Sequence, residues 1–338
     1  MSPHTAPVEA VDPADISEVR TRIRRGVAPF VARDLVARWP AVIKAREGMA
    51  ALAAYLSDLD NGRPATVLNA SPHIKGRFGY TPDLEALNFS RSEQTLSEFM
   101  AGLLRLSAHP LPPGLYLQSA PAADHAPDFA AQNPMPLLPA EVMPRLWIGN
   151  ATRAALHNDH DLNLACVVAG RRHFLLFPPD EVDNLYIGSL SHTPSGRPIS
   201  VANLDAPDYE AFPRLRQAFE RAQSVTLEPG DVLFIPRYWW HQVTAEGPVG
   251  MLVNFWWGAY ASPLENPAIA FNQALACLAG LSEADQAYWQ KMFRRHIADP
   301  RPEDFAHLPP EAHNLSAAER RGLLSELDSV MRRHFGSK

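Results

Sequence analysis

Apolar and polar positions along this chain follow two different periods, and the changes between them divide it. Residues 41–60, from Ala41 to Asp60, are rich in Ala and Leu and predict a helix. Thr95-Leu96-Ser97-Glu98 has the spacing of a capping box and opens a second helix through about Leu106. From about Gly114 the apolar residues gather instead into short runs rich in Val, Ile, Leu, Phe or Trp, bounded by Gly, Pro, Asn or Asp. These runs are Gly114–Ser119, Arg145–Asn150, Arg153–Asp159, Asn163–Ala169, His173–Phe177, Ser224–Leu227, Asp231–Ile235 and Met251–Trp257. About eight strands without helices between them predict a double-sheet jelly roll or barrel. The stretch from Pro178 to Gln223 is polar and rich in Pro and Gly, and reads as an insert between two barrel strands. Past Pro263 the pattern is helical again, with an apolar face of Ile269, Phe271, Leu275 and Leu278 and a second capping box at Ser316-Ala317-Ala318-Glu319. The expected organisation is a flexible tail at 1–13, α/β elements at 14–110 flanking the barrel, the jelly-roll core at 111–260 and a helical region at 261–338. The fold class is mainly β with flanking helices.

Composition narrows the function more than the fold. The 338 residues are 46% hydrophobic and 20% charged, as in an ordinary globular protein. A net charge of −6, with no Lys/Arg run, gives no electrostatic case for nucleic acid or an anionic membrane as partner. Cys166 and Cys277 are the only cysteines and lie far apart, which is neither a disulfide framework nor a zinc-finger spacing. A reducing, cytoplasmic setting is therefore expected. No basic-then-apolar leader and no apolar run long enough to span a bilayer stand out.

The candidate chemistry sits in two places. Leu156-His157-Asn158-Asp159 ends an apolar strand, and His-x-Asp on a strand can put both side chains on one side. Glu228-Pro229-Gly230-Asp231 turns into a buried strand that leads to Pro236-Arg237-Tyr238-Trp239-Trp240-His241. That sequence places His241 at a barrel mouth, where ligands bind. Two imidazoles and one carboxylate form the donor set that holds a non-haem Fe(II) on one face with open positions opposite. His157, Asp159 and His241 are thus the candidate metal ligands. His160 and Asp161 read as loop residues, and Trp239, Trp240, Trp256 and Trp257 as packing, with one or two walling the pocket. His125, His173 and His192 carry no supporting pattern.

With these motifs in hand, the chain resembles the JmjC and cupin-like family of Fe(II)/2-oxoglutarate oxygenases. It is most similar to the subgroup containing the asparaginyl hydroxylase that inhibits the hypoxia-inducible factor. The similar stretches are Tyr116-Leu117-Gln118, His157 through Pro179, Asp205 through Glu210, Pro229 through His241 and Val253 through Trp256, with Pro29-Phe30-Val31 and Trp39 through Val42 upstream. Together they cover about residues 28–260. The resemblance implies a double-stranded β-helix and a dioxygenase that hydroxylates a protein side chain or small molecule, with succinate and carbon dioxide as co-products. It also implies that Tyr116, Asn163 and Asn254 line the 2-oxoglutarate pocket beside the iron. Arg172 falls where such relatives carry a lysine for the distal carboxylate; a guanidinium can hold a carboxylate in bidentate fashion, but with a longer reach. Ala154 replaces a threonine that helps bind the same carboxylate. The insert at 180–223 and the segment 60–92 are expected to frame the entrance. The C-terminal helices would pair two protomers, with packing against the barrel as the alternative. Two competing readings are a cupin metalloprotein that binds a ligand without 2-oxoglutarate turnover, and a metal-dependent cupin isomerase.

Overall fold

The computed structural model describes residues 5–81, 85–190, 193, 196–258, 260, 263–309 and 316–335; His192 lies outside them. The chain divides into two compact units, Met1–Gly258 and Ala259–Lys338.

The first unit is built on 13 strands linked into one sheet system. In chain order these are β1 (Ala6–Pro7), β2 (Glu9–Val11), β3 (Phe30–Ala32), β4 (Ala65–Ala70), β5 (Arg77–Phe78), β6 (Phe89–Gln94) and β7 (Gly114–Pro121). Then follow β8 (Pro144–Gly149), β9 (Arg153–Asn158), β10 (Leu162–Phe177), β11 (Gln223–Leu227), β12 (Val232–Ile235) and β13 (Trp240–Trp257). The spine is the antiparallel pair β10–β13, in register from Leu162 opposite Trp257 to Phe177 opposite Trp240. Register breaks near the middle, on either side of Ala169. Gly170 there has φ +68°, and a Cβ would lie 3.0 Å from the Val249 carbonyl oxygen and 3.1 Å from that of Glu246. Only glycine lets the two chains bend this closely.

Across the bend the neighbours change. The first half of β10 pairs with β12 and its second half with β11, while β13 pairs with β9 at one end and β8 at the other. Side-chain alternation shows what the bend achieves. Ala165 and Val167 from one half of β10 share a core with Phe174 and Leu176 from the other half, together with Val225, Leu233, Ile235 and Leu252. The halves therefore face each other across an interior, as in a jelly roll. The opposite face of β10 carries Leu164, Cys166 and Val168, which pack with helix residues Val19, Ile23, Leu52, Leu56, Phe99 and Leu103. Period-two alternation thus builds an inner core and an outer helix layer from one strand.

Several expectations need correction. The predicted flexible tail contributes β1, parallel to β11, and β2, parallel to β3, because Val8 and Val11 bury themselves against the sheet. The single helix expected at 41–60 is two, Pro40–Glu47 and Met49–Leu59, broken at Gly48, whose φ of +135° no helix contains. Asn163–Ala169 and His173–Phe177 are one continuous strand, since Gly170 bends the ladder without ending it. The sheet also runs through β4 and β6, upstream of the expected start of the barrel at 111. The polar insert has its own core: Leu185, Leu204, Leu215 and Phe219 pack on Leu156, Phe177 and Trp240.

The second unit is helical, with Pro267–Leu278, Glu283–Phe293 and Ala317–Phe335 as its longer helices. Ser316 and Glu319 form the expected capping box. Phe305 is the one large hydrophobic side chain buried among its described residues, while Ile269, Phe271 and Leu275 are exposed. Among the described residues no helix is long and apolar enough to cross a membrane.

Candidate active site

The strand pairing brings His157 and His241 directly opposite each other, on β9 and β13. Their rings are 4.4 Å apart between centroids. Asp159 lies just past the end of β9, with Oδ2 3.7 Å from His241 Nε2. The ligand atoms of the three residues all fall within 4.8 Å of one another, the one such His/Cys/Asp/Glu cluster among the described residues.

Both imidazoles are aimed by the same device. His157 Nδ1 lies 2.8 Å from the Ala155 carbonyl oxygen, and His241 Nδ1 lies 3.0 Å from that of Trp239. A carbonyl oxygen can only accept, so each Nδ1 carries the proton and each Nε2 keeps its lone pair. That is the tautomer a metal requires, fixed by backbone two residues upstream. Burial, with His157 beside it, pushes the His241 pKa down to about 4 despite the opposing Asp159 carboxylate. At neutral pH this ring is an uncharged donor. Asp159 is steadied through its backbone: the Tyr238 N–H donates to its carbonyl oxygen at 2.8 Å, and Asn158 Nδ2 donates to the Tyr238 carbonyl oxygen at 3.3 Å. Tyr238 holds φ +67° to do so, a conformation that costs about 1–2 kcal/mol in a non-glycine residue.

Behind these three residues is a small cavity of about 60 Å³ between the sheet layers, lined by Tyr116, Asn163, Arg172 and Asn254 among others. All four residues expected around the co-substrate are brought together with the histidine–aspartate cluster. Arg172 is the informative one. It is 4% exposed, whereas Arg171 is exposed and paired with Glu228. Its Nη2 donates to the Trp147 carbonyl oxygen at 3.2 Å, and its Nε has no hydrogen-bond partner. Tyr116 faces it; burial pushes the phenol up to about 12 even with the guanidinium nearby. Burial likewise lowers the Arg172 pKa. A guanidinium enclosed without a carboxylate is costly unless a ligand brings one.

The asparagines form a fixed rail. Trp147 Nε1 donates to Asn254 Oδ1 at 2.7 Å, and Asn254 Nδ2 donates to Asn163 Oδ1 at 3.2 Å. Trp147 and Thr152, which sequence reasoning missed, line the same cavity beside Ala154. Trp147 was findable: Arg145, Trp147 and Gly149 alternate with the core residues Leu146 and Ile148. Thr152 lay hidden in the turn before β9. Of the four tryptophans weighed from sequence, Trp239 and Trp240 are packing and Trp256 walls the pocket.

A second, larger cleft of about 380 Å³ adjoins the first at His157 and Asp159 and shares Tyr116, Trp147 and Trp256 with it. Leu68, Phe78, Phe89 and Arg91 come from the segment 60–92, and Arg197 and Ile199 from the insert. Both segments expected to frame an entrance do line it.

Fold and site together define a jelly-roll protein with a candidate two-histidine, one-carboxylate metal face beside a small cavity and a larger open cleft. A cupin-like domain model matches residues 17–262, and the chain belongs to that family. HSPB1-associated protein 1 of Homo sapiens is 36% identical over 143 residues, 42% of this chain and 29% of its own length. Lysine-specific demethylase JMJ31 of Arabidopsis thaliana is 36% identical over 112 residues, 33% of this chain and 20% of its own. Lysine-specific demethylase 8 of Xenopus tropicalis is 34% identical over 120 residues, 35% of this chain and 25% of its own. The match thus spans less than a third of these curated relatives. JmjC members of the family are oxygenases whose cofactors are Fe(II) and 2-oxoglutarate. The donor set fits such an ion, and the carboxylate-free Arg172 fits such an acid.

Proposed function

We propose that the chain is a dioxygenase that hydroxylates a protein side chain or small molecule at the expense of 2-oxoglutarate. His157, Asp159 and His241 would hold the iron, and Tyr116, Asn163, Arg172 and Asn254 the 2-oxoglutarate. Bound iron, with 2-oxoglutarate and oxygen, supplies the oxidising power, and the co-products are succinate and carbon dioxide. The observation that carries this reading is Arg172, a buried guanidinium with an orphan Nε in the cavity behind the triad.

The remaining chemistry belongs to the chain. Arg172 and the Tyr116 hydroxyl would offer donors to the distal carboxylate. The Trp147–Asn254–Asn163 rail keeps its amides in one orientation, so the co-substrate meets placed dipoles. Phe174, Ile235, Val243 and Leu252 keep the pocket dry, which strengthens each polar contact in it. The open cleft leaves a path for substrate to the same metal face.

Anaerobic Fe(II) and 2-oxoglutarate should give a visible metal-to-ligand charge-transfer band, and admitting oxygen should give succinate; His157→Ala and Asp159→Ala should lose both. Metal binding without that band would favour the metalloprotein or isomerase readings. Undiminished turnover in both variants would remove the ligand assignment.

A further inference from the structure

The open cleft carries cationic groups that neither the metal ligands nor the co-substrate pocket uses. The chain has a net charge of −6, yet Arg91, Arg153 and Arg197 line this cleft against Asp159 and Asp161. Asp159 belongs to the candidate ligand set, and neither Arg91 nor Arg197 is in ion-pair contact with Asp161. Arg153 is spoken for, because its Nη1 donates to Asp205 Oδ2 at 2.8 Å. Arg91 and Arg197 differ from it. The Arg91 guanidinium lies 5.2 Å from the centre of the Phe89 ring, and no carboxylate among the described residues pairs with it. Arg197 places Nη1 3.1 Å from His160 Nδ1. A guanidinium has no lone pair to offer, so that imidazole nitrogen accepts, and the contact orients Arg197 without neutralising it. Arg197 makes no ion-pair contact with a carboxylate among the described residues, although its charge acts on the Asp161 carboxyl across the cleft.

The walls between them are apolar: Phe78, Phe89, Ile199 and Trp256. Low-dielectric walls strengthen the field of the two arginines inside the cleft. We propose that the cleft takes a substrate presenting a carboxylate, held by Arg91 and Arg197, with its apolar stem on these walls and its reacting carbon toward the metal face. The proposal rests on the oxygenase reading for what happens to that carbon, but the recognition does not depend on it. A cationic side chain would meet the same guanidiniums with repulsion, so the arrangement also selects against lysine-like groups. The carboxylate can come from an acidic peptide segment or from a free amino-dicarboxylate.

The test uses full-length protein without iron or 2-oxoglutarate. Fluorescein-labelled heptapeptides with three glutamates, three glutamines or three lysines on a Gly/Ser frame are titrated by fluorescence anisotropy. Unlabelled glutamate peptide and N-acetylglutamate then compete. The glutamate peptide should bind at least about fivefold more tightly than its glutamine twin, the strength of one partly exposed charge pair. It should weaken as salt rises to about 0.5 M, and the lysine peptide should not bind. Arg91→Gln and Arg197→Gln should each cost about fivefold, while Arg171→Gln, on a separate exposed ion pair, should change nothing. Displacement by N-acetylglutamate at or below the peptide's own concentration, or its binding alone, assigns the carboxylate to a small molecule; displacement by peptide only assigns it to a peptide. Equal binding of glutamate and glutamine peptides, full affinity in the double variant, or no binding by any carboxylate probe overturns the proposal. No turnover enters, so failure here is separate from failure of the charge-transfer and succinate tests.

Discussion

Replacing Arg172 by methionine should make the ligand-free protein more stable and at the same time blind it to 2-oxoglutarate. The side chain is 4% exposed, its Nε is unpartnered, and its one hydrogen bond to backbone is the 3.2 Å contact with the Trp147 carbonyl oxygen. An unsatisfied buried donor costs about 1–3 kcal/mol, and a buried charge without a counter-ion adds to that. Methionine keeps the apolar stem among Phe174, Val243 and Leu252 as far as the position of Nε, and gives the space of the guanidinium back to the cavity. It gives up the bond to Trp147 and the contact with the Tyr116 hydroxyl, together worth about 1–2 kcal/mol. The net expectation is a gain of about 1 kcal/mol, or roughly 2–4 °C in Tm for a unit of this size. With iron and 2-oxoglutarate the order should reverse. Ligand at a hundred times its Kd stabilises the native protein by about 2.7 kcal/mol, and the variant should gain nothing. Thermal and urea denaturation, with and without anaerobic Fe(II) and 2-oxoglutarate, read both halves. A variant less stable than the parent without ligand, or one that keeps the 2-oxoglutarate shift, would refute the reasoning.

Gly149→Ala should weaken 2-oxoglutarate binding and cost about 1–3 kcal/mol of stability, because the new Cβ would sit 2.8 Å from the Leu115 carbonyl oxygen and 2.9 Å from Tyr116 Cδ2. Unchanged urea midpoint and unchanged affinity by calorimetry would show that Tyr116 is not held as described. Arg172→Lys and Ala154→Thr should be coupled by at least about 1 kcal/mol in 2-oxoglutarate affinity, the double variant binding better than the product of the singles allows. Additivity within about 0.5 kcal/mol would separate the two positions. The helical unit should pair two copies of the chain through its exposed face of Ile269, Phe271 and Leu275. Light scattering should then show a dimer that Ile269→Asp with Leu275→Asp converts to monomer, and a monomeric parent protein would rule this out.

Some parts of this molecule could be read from the chain because they depend on local chemistry. The strands from Gly114 onward declare themselves through apolar runs between turn residues, and the Thr95 capping box places its helix at Leu96–Leu106 as expected. The three candidate metal ligands combine the donor types with a strand spacing, so their convergence is legible before any fold is known. Other parts depend on partners far away. β1 and β2 are two- and three-residue strands whose only signal is the burial of Val8 and Val11 against segments more than 15 residues distant. Gly170 looks like a strand terminator, and only the approach of Glu246 and Val249 shows that it bends a continuous one. The backbone carbonyls that fix both histidine tautomers leave no trace in side-chain identity. Thr152 belongs to the pocket because of its place in a turn that no periodicity describes.

The two departures in the co-substrate pocket make more sense together than apart. Arginine at position 172 reaches further than the lysine that the family resemblance implies there, and brings a flat group with donors on two sides. Such a group needs lateral room in the cavity, whose lining includes Arg172, Ala154 and Thr152. A threonine at 154 would add two heavy atoms on that wall, in an interior where one methylene is already felt. Alanine leaves that room, and Thr152, two residues earlier, also lines the cavity. On this argument the missing threonine is the condition for the guanidinium rather than a second defect beside it. On the proposed reading the pocket would still offer a cation to a carboxylate, from a longer side chain beside a smaller neighbour, so substituting either departure alone should disturb the other.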